Sequence, residues 1–308
     1  MTLQCPAPLH RLPSRLGRVD QLSTESPLLS PILLSRYCTP SYLARYLGIR
    51  LQGSRLIGSG RIDEGTSPRV VVSLTSIPSR IGHVFPTLNS VLLQSRAPSA
   101  IYLNLPANSG READAYRVPS QIEEDPRITI CRSGEDLGPI MKLLPALARE
   151  PDPNTIIITV DDDVVYPRGM IETLLETRES LPEAALGFRG WRLPDDGNLP
   201  GRTILHANQV SRPFEVDVLC GVSGAMYLRK HFGPDFFDRS ALPPESYFID
   251  DLCISGYLHR AGIMKYIVPY PIREPFSSYV RTSRSNPLWE INRDCRNIDR
   301  MVDFYFAT

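Results

Sequence analysis

From Arg69 onward, short β-branched apolar runs alternate with segments whose apolar residues recur every three or four positions. That alternation is the pattern of βαβ units building a mostly parallel sheet. Val70 to Leu74 reads as the first strand, and His83 to Gln94 as a helix with Val84, Leu88, Val91 and Leu92 along one stripe. Ala100 to Leu105 and Arg127 to Cys131 give two further strands. Pro139 to Arg149 reads as a helix opened by proline and kinked at Pro145, leading to a fourth strand from Thr155 to Val160.

The second half is less regular. A helix is expected from Pro167 to Glu179, then strands at Ala185 to Phe188, Phe214 to Leu219 and Ala225 to Leu228, and helices at Asp250 to Ala261 and Pro287 to Phe306. The last helix would turn Leu288, Ile291, Ile298 and Met301 inward. A Gly-, Pro- and Asp-rich loop from Gly190 to Gly201 is long enough to act as a lid. Residues 1 to 68, rich in Pro, Ser, Leu and Arg, read as a partly helical or loosely structured extension. Within it Tyr42 to Leu51 is amphipathic and suited to packing on the main domain or on a partner. The expected organisation is thus a first half of the doubly wound, nucleotide-binding kind, 69–165, and a less regular second half with its C-terminal helix, 166–308.

Composition narrows the classes without choosing one. With 308 residues, 42% of them hydrophobic, the chain can bury a sizeable core, and 34 basic residues balance 34 acidic ones. No overall field therefore favours nucleic acid. The six cysteines include no Cys-x-x-Cys pair, and the five histidines no metal-ligand spacing, which argues against zinc and a disulfide framework. No run reaches the roughly 20 apolar residues that span a bilayer, and the N-terminus lacks a secretory h-region. Reduced thiols and a cytoplasmic location are the expectation.

Chemistry enters at Thr155 to Pro167, where the apolar strand stops in Asp161-Asp162-Asp163. One aspartate after a strand is ordinary turn chemistry. Three adjacent carboxylates at the end of a buried strand repel one another and call for a cation or donors. In an extended segment Asp161 and Asp163 would share a side, presenting oxygens to one hard cation, while Asp162 faces elsewhere. The C-terminal ends of parallel strands are also where open α/β sheets bind ligands.

Two more polar loops reach the same edge. Thr75-Ser76-Ile77-Pro78-Ser79-Arg80 follows the first strand, its hydroxyls able to cradle a base or ribose and Arg80 able to fork onto a phosphate, although a Ser-capped turn explains it equally. Asp136 and Lys142 follow the third strand, either as ribose and phosphate contacts or as a helix cap and its neighbour. Further on, Asp250-Asp251 is either a helix N-terminus or an acid pair. Gly221 and Gly224, with Ser223 between them, suit close approach of a ligand or a bulge, and Trp191 suits sugar stacking or core packing.

In that order, Val-Ser-Leu-Thr-Ser-Ile-Pro-Ser-Arg, Asp-Leu-Gly-Pro-Ile-Met-Lys and Asp-Asp-Asp-Val-Val-Tyr resemble the family 2-like, nucleotide-sugar-dependent glycosyltransferases of GT-A fold, over residues 69 to 270. The resemblance implies a Rossmann-like, mostly parallel sheet flanked by helices, with a smaller mixed acceptor-side sheet. It implies Mn2+ or Mg2+ on Asp163 and Asp161, with Asp162 at the donor's edge. Thr75, Ser76, Pro78, Arg80, Asp136 and Lys142 would bind a nucleoside-diphosphate sugar. It further implies Asp251 as catalytic base, Asp250 beside it on the acceptor, and an acceptor-binding group of Trp191, Gly221, Ser223 and Gly224. The acceptor would be a glycan, a lipid-linked molecule or a protein. No histidine follows Tyr270, which favours inversion over retention. The other readings are a nucleotidyl- or phosphoryl-transferase, which lacks a Gly-x-x-x-x-Gly-Lys-Ser/Thr loop here, and a catalytically silent binding module.

Overall fold

A computed structural model describes residues 39–65, 67–194, 203–270, 277–278, 288, 291–292 and 296–306. The first described element is α1, Pro40–Leu51. Thr39 caps it by accepting from the Tyr42 amide at 3.1 Å, and Pro40 supplies the fixed φ of a first turn. Tyr42, Tyr46 and Ile49 lie one helical turn apart and are buried against Val165, with Ile57 and Leu93 alongside. Arg45 reaches from the same helix to the carbonyls of Tyr166, at 2.9 Å, and Ser90, at 3.0 Å. Packing on its own domain is therefore the role of this helix; residues 1–38 of the expected extension lie outside the described residues.

The domain then runs β1 Val70–Thr75, α2 Phe85–Leu92, β2 Ala100–Pro106, α3 Ser120–Glu123, β3 Ile128–Ser133, α4 Leu144–Arg149, β4 Ile156–Thr159 and β5 Val164–Val165. It continues with α5 Met170–Ser180, β6 Ala185–Gly187, β7 Arg189–Arg192, β8 Thr203–His206, β9 Phe214–Glu215, β10 Val218–Leu219 and β11 Ala225–Leu228. The last elements are α6 Asp250–Arg260, β12 Lys265–Ile267, β13 Ser277–Ser278 and α7 Asn297–Phe306. Eight strands form the main sheet in the order β3-β2-β1-β4-β11-β6-β12-β9. Its first four strands are parallel, and β11 then pairs antiparallel with both β4 and β6. The class is α/β as expected: a Rossmann-like sheet between helices, with a smaller second sheet. That smaller sheet, β10-β7-β8, is antiparallel rather than mixed.

The β1 and β4 runs are buried on both faces, which is why they read as continuous Val and Ile instead of alternating. Several expected boundaries move. The helix expected from Pro139 to Arg149 is a 3-10 turn, Gly138–Lys142, followed by α4, because Pro145 belongs in a first turn and starts a new helix. His83 to Gln94 becomes a 3-10 turn, Ile81–His83, and then α2 with Pro86 in its opening turn. The expected strand from Phe214 to Leu219 is split between sheets. The Val216 amide donates to the Lys265 carbonyl of the main sheet, whereas the next amide, Asp217, donates to Trp191 of the small one.

The expected lid begins as a strand, β7; its residues 195–202 lie outside the described residues. The expected C-terminal helix is described mainly as α7, where Met301, Val302 and Tyr305 are buried and Ile298 packs partly against the core. Cys131, Cys220 and Cys253 are buried free thiols.

Replacing Ile49 by Ala removes the side chain that fastens α1 to Val165. Urea unfolding is expected to show a loss of about 2–4 kcal/mol, the range for truncating a buried aliphatic residue. No loss would mean that α1 is not part of the cooperative unit.

Candidate functional site

The C-terminal ends of β1 and β4, the 3-10 turn at Gly138–Lys142 and the start of α6 converge on one open cleft of about 610 Å³. Thr75, Ser76, Arg80, Asp136, Lys142, Asp161, Asp162 and Asp250 all line it. Sequence reasoning had named each of them, although their contacts differ from expectation.

Beyond Thr159 the chain leaves the sheet, so the two-residue alternation no longer governs where side chains point. Asp161 turns to the Lys142 ammonium at 2.5 Å. Asp162, expected to face away, is instead the most deeply buried of the three at 3% exposure, and shares the Arg80 guanidinium with Asp163 at 2.9 and 3.0 Å. Ser76 Oγ donates to the second Asp162 oxygen at 2.5 Å. Burial raises the Asp162 carboxyl against the pull of Arg80 and Ser76. Asp163 is pushed up to about 7, first by burial and then by the charges of Asp161 and Asp162, which Arg80 only partly offsets.

Lys142 is buried, and it bridges Asp161 and Asp250, the second at 3.0 Å. Burial alone would lower its pKa, but the two carboxylates, with Asp251 behind them, hold it well above the ordinary lysine value. Asp250 and Asp251 open α6, where acidic groups suit the helix dipole. Their surroundings differ. Asp250 lines the cleft, whereas Asp251 does not and accepts from the Gly221 amide at 2.8 Å. Burial and then Asp250 raise the Asp251 carboxyl. The expected order, Asp251 at the reaction and Asp250 beside it, is thus reversed in terms of access.

The acceptor-side group is not gathered at the cleft. Trp191 sits in β7 opposite Val218 and packs partly against the core. Gly221 lies behind the acids: a Cβ there would come within 3.2 Å of Lys142 Nζ and 3.3 Å of Asp251 Oδ1. Ser223 is buried, and Gly224 adopts φ +88° with the Met170 sulfur against it, so its glycine serves backbone geometry. Pro78 shapes the turn before Arg80 without lining the cleft.

Thr75 and Asp136 are also more committed than expected. The Thr75 hydroxyl donates to the Asn104 carbonyl at 2.8 Å. Asp136 accepts from Gly138 N and Gly110 N, each at 2.7 Å, and from the Tyr247 hydroxyl at 3.1 Å, tying three loops together. Gly138 has φ +77°, and a Cβ there would strike the Tyr247 carbonyl, so this tie requires glycine.

Among the lining residues, Arg111, Tyr116 and Leu288 escaped the sequence reasoning as site residues. A signal existed for the first two. Residues 107 to 119 follow a parallel strand, β2, at the same sheet edge as the loops that were singled out.

Asp161, Asp162, Asp163, Asp250 and Asp251 face Arg80 and Lys142, so the acids outnumber the cations paired with them. That imbalance suits a divalent cation. Among the described residues no three Asp, Glu, His or Cys side chains converge to hold one unaided, which leaves one or two carboxylates plus ligand oxygens.

No protein-family model matches the chain, and no curated protein does. Similar solved structures include S. aureus TarS, at 12% identity and a TM-score of 0.48, over 78% of this chain and 40% of that one. TarS 1-349 in complex with UDP-GlcNAc is similar at 9% identity and 0.47, over 78% and 68%. A 4-diphosphocytidyl-2C-methyl-D-erythritol synthase is similar at 8% identity and 0.45, over 76% and 99%. The chain spans less than half the length of the first of these.

The raised Asp163 carboxyl has a consequence for stability. Its pKa is about 7 when folded and about 4 when unfolded, so between those values the native state binds the extra proton. The metal-free protein should therefore gain stability as pH falls from about 8 towards 5. Urea midpoints at pH 8, 7 and 6 should show the gain in the wild type and a flatter profile in Asp163→Asn; parallel profiles would contradict it.

Proposed function

We propose that the chain is a glycosyltransferase that moves a sugar from a nucleoside-diphosphate sugar to an acceptor hydroxyl. The observation that carries this reading is the pairing across Lys142. One buried ammonium joins Asp161, the first acid of the Asp161 to Asp163 turn, to a separate carboxylate, Asp250, and both of these line the cleft. A diphosphate donor needs the first arrangement and a deprotonated acceptor needs the second. As a nucleotidyl- or phosphoryl-transferase the chain would leave Asp250 and Asp251 without a task.

Asp161 and Asp163, with side chains 28% and 21% exposed, would hold Mn2+ or Mg2+ together with phosphate oxygens. When bound, the ion supplies positive charge to a departing diphosphate. Arg80 orients Asp162 and Asp163, and Ser76 fixes Asp162 from the other side. Asp250 takes the acceptor proton as the hydroxyl attacks the anomeric carbon, because access to the cleft precedes pKa in choosing a base. Asp251, fixed by the Gly221 amide, places a second negative charge beside it. One in-line displacement of this kind inverts the anomeric centre. Glycan, lipid-linked and protein acceptors all suit that step. Among the described residues no helix is long and apolar enough to cross a membrane.

Isothermal titration with UDP and GDP, with and without Mn2+, should show metal-enhanced binding of one of them; no such enhancement would overturn the reading. Asp250→Asn should lower transfer by about 10²–10⁴-fold while donor affinity changes little, the magnitude expected for losing a general base. If Asp251→Asn causes the larger loss, the two roles are exchanged.

A further inference from the structure

The cleft holds one cation that its acids leave over. Arg80 is committed to Asp162 and Asp163, and Lys142 to Asp161 and Asp250. Arg111 lines the same cleft, is partly buried, and its guanidinium has no ion-pair partner among the described residues. The nearest carboxylate in sequence, Glu112, is turned away, accepting from Ser79 N at 2.8 Å and Ser79 Oγ at 2.6 Å. Burial, and then repulsion from Arg80, pull the Arg111 pKa down, and the opposing pull of Tyr247, Glu112 and Asp162 offsets this only in part.

The loop that carries it is fixed on both sides. Gly110 N donates to Asp136 at 2.7 Å, the Arg111 amide donates to Ser109 Oγ at 3.2 Å, and the Tyr116 hydroxyl donates to the Ser76 carbonyl at 3.0 Å. A solvated surface arginine requires neither repulsion from a neighbour nor a loop tied at three points. A guanidinium kept short of its anion and pre-aimed into a cavity is the arrangement that receives a phosphate, and pre-organisation lowers the entropy lost on binding.

We propose that Arg111 is a binding residue for the donor's diphosphate, gripping phosphate oxygens from the β2 loop. This assignment rests on the nucleotide-sugar reading. It separates the two halves of the ligand. The diphosphate is gripped by Arg111, whereas the nucleoside lies along Thr75, Tyr116 and Asp136.

Titration of the full chain tests it, using whichever of UDP and GDP the wild type binds, its parent nucleoside, and inorganic pyrophosphate. Arg111→Ala should weaken diphosphate binding by about tenfold or more and leave the nucleoside within about twofold, and Arg111→Lys should recover part of the loss, because lysine keeps the charge without the fork. The urea midpoint of Arg111→Ala should be unchanged or higher, since an uncompensated charge is removed. Diphosphate affinity unchanged within about twofold would overturn the proposal, as would equal weakening of nucleoside and diphosphate. If the wild type binds pyrophosphate but no nucleoside diphosphate, and Arg111→Ala loses the pyrophosphate, the anion site stands and the donor reading falls. Binding of neither by the wild type overturns both.

Discussion

A buried ammonium between two carboxylates is the constraint around which this cleft is arranged. Lys142 has almost no water of its own, so it stays charged only because Asp161 and Asp250 approach from different elements. Each of those elements is placed by a separate requirement: β4 by its parallel neighbour β1, the 3-10 turn by Gly138 and Pro139, and α6 by burial of its apolar face. Displacing any one would strand a charge in a low-dielectric setting. The ion pairs thus fix the spacing between the two acidic groups more than they add to net stability.

Outside that bridge the cleft is frustrated by design of its charges. Asp162 and Asp163 share one arginine, and Asp251 has a backbone amide for company. A fold without a ligand to receive would gain by replacing such groups with apolar ones of similar size. Their presence together at one sheet edge is what separates a binding site from a solvated turn.

Much of this was legible in the sequence, and the failures have definite causes. The Val-rich and Ile-rich runs gave β1 and β4, and the aspartates at the end of one of them lie at the sheet edge where the cleft opens. Alternation failed at Asp162 because the strand had already ended, so a rule of extended backbone was applied to a turn. The strand from Phe214 was undivided in pattern because Val216 and Val218 are both buried, although in different sheets. Arg111 was missed because a single arginine in a polar loop carries no periodic signal; only the contacts of Glu112 with Ser79 show that its nearest partner is spoken for.

The bond between Asp136 and Tyr247 spans 111 residues of chain. It joins the edge of the parallel half to the segment just ahead of α6, and Lys142 makes a comparably distant link to Asp250. The cleft is consequently a property of the whole length of the chain and of no contiguous piece. An N-terminal fragment ending before Tyr247 would carry the three aspartates, Arg80 and Arg111, yet lack both the tie across its loops and one of the two counter-charges of its buried lysine. Trimming the molecule to residues 69–165 would therefore yield an incomplete cleft on a sheet with an unpaired edge, open to association with other chains.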